Sequence, residues 1–162
     1  RMLVTANGAK LKNNSSEAVF RKSLNQLFDL EKVESKTLFP SNKSEEVFIH
    51  YLKIDGFDTH ENQLETHSQL LAEFDSLLNS IHKLTFGQNY LIYAFSEFGR
   101  SNSPNEDKGT EHGSAGMSFL LGPSVNGGIY GRYEKIQKNC PLQATLDLRD
   151  LQKSITANFL TA

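Results

Sequence analysis

Apolar positions along the chain fall into separate periods. Ala18, Val19, Phe20, Leu24, Leu27, Phe28 and Leu30 recur at intervals near three and four, which predicts an amphipathic helix over 17–32. Residues 1–15 are polar and rich in Gly, Asn and Lys, so they read as a loose lead-in, and the Pro-containing stretch 39–43 reads as a loop. Residues 47–54 concentrate branched and aromatic side chains and read as a strand buried on both faces. Leu70, Leu71, Phe74, Leu77, Leu78, Ile81 and Leu84 share one face of a helix over 63–84, with Asn62 and Glu65 spaced as a capping box. A second strand follows over 89–95, then a long loop over 96–116 and a third strand over 117–121. Asn126-Gly127-Gly128 predicts a turn and residues 129–131 a short edge strand. A last helix is expected over 146–160 with Asp147 near its start.

A strand, a helix of about six turns and another strand predict a βαβ unit with parallel strands and a right-handed crossover. The turns after the two strands would then share one edge of the sheet, the edge at which open α/β sheets bind ligands. The third strand must run back, antiparallel to the others, if the loop before it stays at that edge.

Three loops at this edge carry the groups able to do chemistry. In GFDTHENQ (56–63), Asp58 and His60 lie two apart on a turn, where a non-helical backbone can aim both at one centre. Carboxylate oxygen and imidazole nitrogen suit Zn²⁺, Mn²⁺ or Fe²⁺; the plainer reading is a stabilised turn and a solvated histidine. In SEFGR (96–100), Glu97 follows an apolar strand and calls for a partner or a metal. Arg100 is a candidate partner for Glu97 or a candidate anion-binding group. In GTEHG (109–113), Glu111 and His112 stand between glycines, either at a site the backbone approaches closely or on a mobile surface loop. Asp58, His60, Glu97, Glu111 and His112 together suffice for one closed metal site or most of a two-ion site. His50 reads as a core or edge residue, His67 as a packing residue and His82 as solvated.

Charge and composition narrow the partners. Seventeen basic and nineteen acidic residues leave a formal charge of −2, which gives no general affinity for nucleic acid or an acidic membrane surface. No apolar run approaches the ~18 residues of a membrane span. The one cysteine, Cys140, allows no internal disulfide and reads as incidental. A nucleophile elbow and a phosphate-binding P-loop are both missing from the sequence. The chain starts Arg1-Met2, which reads as a fragment or a processed product.

GFDTHENQ, SEFGR, GTEHG, LLGPSVNGGIYG (120–131) and TLDLRDL (145–151), in this order and at these intervals, resemble the carboxyl-terminal half of the bacterial domain of unknown function 1501 family. The resemblance covers residues 47–160, and residues 1–45 match only loosely. That family is related to the alkaline phosphatase and sulfatase superfamily. The resemblance therefore implies an α/β protein with a three-layer α/β/α fold and a mostly parallel sheet, alkaline phosphatase-like, of which 1–162 would be one partial domain. It implies that Asp58, His60, Glu97 and His112 hold a divalent metal, Zn or Mn, with Glu111 where the family usually has aspartate and Phe98 where the superfamily has a histidine. The implied activity is metal-dependent hydrolysis of a small anionic phosphate or sulfate ester, with Arg100 on the anion or bracing the loop, in an exported parent protein. The superfamily's nucleophile, in the amino-terminal half, has no recognisable counterpart here. The other reading is a non-catalytic remnant or metal- or ligand-binding module.

Overall fold

The structure, a computed structural model, describes residues 2–9, 22, 34–38, 47–132, 135–137 and 140–160. Its elements in chain order are β1 (Met2–Ala9), β2 (Glu34–Leu38), β3 (Val47–Ile54), α1 (Gln63–Leu84), β4 (Asn89–Ser96), β5 (Gly99–Pro104), β6 (Thr110–Gly113), β7 (Ser118–Leu121) and α2 (Leu148–Ile155), which continues into a π-helical turn, Thr156–Leu160. The helix expected over 17–32 lies outside the described residues except for Lys22, which is helical and exposed. The loop expected over 39–43 also lies outside them.

Five strands form one sheet in the order β2-β3-β1-β4-β7, and β5 pairs with β6 in a separate hairpin. Every neighbouring pair in both sheets is antiparallel. This overturns the expectation of a mostly parallel sheet in a three-layer, alkaline phosphatase-like α/β/α fold. The cause is β1. The opening segment, expected to be loose, inserts between β3 and β4 and pairs Met2 with both Ile54 and Ser96, and Ala9 with both Val47 and Asn89. Strands β3 and β4 therefore do run in the same direction, but with an opposed strand between them instead of hydrogen bonds to each other. β7 runs back against β4, as expected.

Helix α1 lies across one face of this sheet. Leu52 of β3 and Tyr90, Ile92 and Ala94 of β4 alternate along their strands and so present one face. Phe74, Leu77 and Ile81 of α1 close over them, with Ile54, Phe57, Leu78 and Leu84 packed around the cluster. Leu71, expected on this face, is half exposed; the buried stripe is narrower than the run of leucines suggested. In β4, Leu91 and Tyr93 are buried as well, so this strand is covered on both faces.

Two helix starts differ in how they are capped. Asp147 caps α2 as an Asp should, its Oδ1 accepting from the Arg149 amide at 2.8 Å. Bonds from the Arg149 side chain and amide hold the Asp147 carboxyl down to about 2. Asn62, at the head of α1, makes no side-chain cap: its backbone is left-handed (φ 44). The capping box with Glu65 does not form, because carbonyl oxygens from the hairpin take its place. The expected edge strand over 129–131 is irregular chain, and the expected loop over 96–116 is mostly the β5–β6 hairpin.

Candidate metal centre

Because β3 and β4 point the same way, the chain leaves both at one edge of the sheet. The turn from β3 to α1 carries Asp58 and His60; the chain after β4 carries Phe98 and Arg100 and continues into the hairpin that bears Glu111 and His112. Backbone and side-chain hydrogen bonds hold the turn and the hairpin together. The Asn62 and Gln63 amides donate to the Asp107 and Lys108 carbonyls at 3.0 and 3.1 Å, Glu61 and Lys108 form a β-bridge, and Thr110 Oγ1 donates to Gln63 Oε1 at 2.7 Å. Gly109 is buried in this seam, where an added Cβ would lie 2.1 Å from the His60 carbonyl carbon.

Across the seam three donors meet. His112 Nε2 lies 2.7 Å from Asp58 Oδ1, and His60 Nε2 lies 3.2 Å from the same oxygen. Ligand atoms of Asp58, His60 and His112 all fall within 4.8 Å of one another, although 54 positions separate the two outer residues. The three side chains are about half exposed. The Asp58 carboxyl is held below its ordinary range, first by the hydrogen bond from His112 and then by the charges of His112, His60 and Arg100. Asp58 is therefore an anion at neutral pH.

The surroundings orient these groups. The Phe98 ring stacks on His112 at 4.0 Å and 13°, and the Arg100 guanidinium lies over Phe98 at 5.1 Å. Arg100 is 16% exposed and spends its donors on the backbone: Nη1 on the Thr110 carbonyl at 2.8 Å, Nη2 on the Phe57 carbonyl. Its Nη2 also sits 3.7 Å from Asp58 Oδ1. Of the two roles open to Arg100, this geometry supplies the brace, tying the turn to the hairpin. His67, from α1, places Nε2 2.9 Å from Thr59 Oγ1 and 3.3 Å from the Phe57 carbonyl and packs edge-on against Phe57, a structural role. His82 is exposed, with Nδ1 2.5 Å from the Tyr90 hydroxyl.

Of the five expected ligands, Asp58, His60 and His112 come together. Glu97 is exposed and is not one of the three clustered residues. Glu111 stands one step further out, with Oε2 3.4 Å from His60 Nδ1, the nitrogen turned away from Asp58. Asn105, which sequence reasoning passed over, ties this side together. Its Nδ2 donates to the His60 carbonyl at 2.9 Å and to Glu111 Oε1 at 3.2 Å, and its Oδ1 accepts from the amides of Asp107 and Gly109. The only hint in the sequence was its place after Pro104 in a turn-forming run.

The donor chemistry fits a divalent metal. Nitrogen and oxygen ligands about 2.0–2.2 Å from a tetrahedral ion lie roughly 3.3–3.5 Å apart. The Asp58–His60 pair is already near that spacing, and the Asp58–His112 pair, at 2.7 Å, must open by ~0.6–0.8 Å.

An antiparallel sheet crossed on one face by a long helix, with an imidazole–carboxylate cluster at one sheet edge, defines an α+β protein bearing a surface donor site. A family model described as "Protein of unknown function (DUF1501)" matches residues 16–161, and the chain belongs to that family. Comparison with curated proteins and with solved structures gave no match. Among the described residues, no helix is long and apolar enough to cross a membrane.

Proposed function

We propose that the chain binds one divalent ion, Zn²⁺ or Mn²⁺, through Asp58, His60 and His112, and that this site serves hydrolysis of a small anionic phosphate or sulfate ester. The observation that carries the metal reading is the convergence of these three donors from two separate segments. Three protein ligands at an exposed position leave room for water or substrate, the pattern of catalytic rather than structural sites. A bound ion there would act as a Lewis acid on an ester oxygen. Asp58 supplies the negative charge; Phe98 and Arg100 keep His112 and the turn in place. The ester class rests on the resemblance to the alkaline phosphatase and sulfatase superfamily, whose nucleophile would have to come from outside these motifs. Phe98, standing in place of a superfamily histidine, favours a second reading: a site that binds metal without turnover.

Isothermal titration with Zn²⁺ and Mn²⁺ tests the binding. Wild type takes up close to one ion per chain, and His60→Ala with His112→Ala takes up none; equal uptake by both proteins refutes the site. Hydrolysis of p-nitrophenyl phosphate or sulfate by the metal-loaded wild type, lost in the double variant, then separates an enzyme from a binding module.

A further inference from the structure

We propose that Glu111 is not a metal ligand but the positioning residue that fixes which nitrogen of His60 faces the metal, with Asn105 holding Glu111 in place. This rests on the metal reading above. His60 lies between two carboxylates: Asp58 Oδ1 is 3.2 Å from Nε2 and Glu111 Oε2 is 3.4 Å from Nδ1. The two sides are not equivalent. On the Nε2 side a second imidazole, His112, points at the same Asp58 oxygen, so three donors face one point. On the Nδ1 side the other Glu111 oxygen is engaged by the Asn105 amide, whose second bond goes to the His60 carbonyl. Glu111 is thus tied to the backbone of the residue it faces.

A neutral imidazole has one N–H and one lone pair. A carboxylate at Nδ1 favours the proton there and leaves the lone pair on Nε2. That lone pair lies on the side of Asp58 Oδ1, 3.2 Å away, where His112 also points and a metal ion would sit. Metal-bound histidines commonly donate their other N–H to a carboxylate in this way, and loss of that partner typically weakens metal affinity about 10–100-fold.

The test uses Glu111→Gln, with Glu111→Ala as a second variant, at an exposed side chain where neither change threatens folding. His60 Nδ1 and Asn105 face different oxygens of Glu111, and a glutamine puts an NH2 donor at one of those two places. Zn²⁺ titration is expected to give unchanged stoichiometry and an affinity about 10–100-fold lower. In long-range ¹H–¹⁵N spectra of the zinc-loaded protein, the His60 Nδ1 signal shifts in the variant while that of His67 does not. With Co²⁺, the visible spectrum keeps the intensity and band positions of wild type, since the number of ligands is the same. A variant with wild-type affinity and an unmoved His60 signal overturns the inference, as does a Co²⁺ spectrum showing that a ligand has been lost. Wild type that takes up no Zn²⁺ overturns the metal reading itself, and this inference with it.

Discussion

Gly109 shows how tightly the site depends on a missing side chain. A Cβ there meets the His60 backbone at 2.1 Å, and backbone, unlike a flexible side chain, yields only by moving the whole turn. Gly109→Ala is expected to destabilise the fold by about 1–3 kcal/mol, as overpacking does. It should also weaken Zn²⁺ binding, because the turn and hairpin separate; a urea melt and a titration read the two effects. His67 gives a pH dependence of definite sign. Burial lowers its pKa, opposed by the hydrogen bond to the Phe57 carbonyl. The unfolded chain therefore takes up the proton first. The stability His67 supports is complete above its unfolded value and falls as pH drops below about 6.5 toward the lower folded value. Denaturation midpoints measured either side of that value should differ less in His67→Gln than in wild type. The sequence made Asp58, His60 and His112 legible because short polar motifs after apolar strands are conspicuous. It set Glu111 apart only by its extra methylene, and the place of that carboxylate beside His60 Nδ1 depends on which way a side chain turns. Asn105 was hidden for a related reason: its role is made of bonds to backbone atoms that no spacing encodes.

Helix α1 was readable from its leucine and phenylalanine spacing, and its span, Gln63–Leu84, agrees with the period. Its start was readable only in position. Asn62 looks like a side-chain cap, yet its left-handed backbone and the Asp107 and Lys108 carbonyls do that work. Left-handed geometry costs an ordinary side chain about 1–2 kcal/mol, a penalty glycine escapes and asparagine partly escapes. Asn62→Gly should thus be neutral or stabilising, and Asn62→Ala should lower stability by about 1 kcal/mol in a chemical melt. A true side-chain cap would instead lose stability in both variants. The β5–β6 hairpin escaped sequence reading because its strands, GRSNSP and TEHG, lack the apolar alternation that marks a half-buried strand.

The order of the sheet was the least legible property of all. Strand patterns say which segments pair with something, and not with what; a strand–helix–strand run suggested direct parallel pairing, and β1 intervened. Thr5 is central to this correction, paired with Tyr51 on one side and Tyr93 on the other. Proline at an interior sheet position removes a ladder bond and is hardly tolerated. Thr5→Pro is therefore expected to abolish the cooperative melt followed by circular dichroism, whereas a loose lead-in would accept it without effect. The seam between turn and hairpin has its own consequence for motion. Amides at the head of a helix usually exchange with deuterium quickly, having no partner within the helix. Those of Asn62 and Gln63 are instead sealed by carbonyls from the segment that carries His112. Their exchange rate becomes a clock for the parting of the two halves of the site: slow while the donors stand together, and fast each time the hairpin swings away.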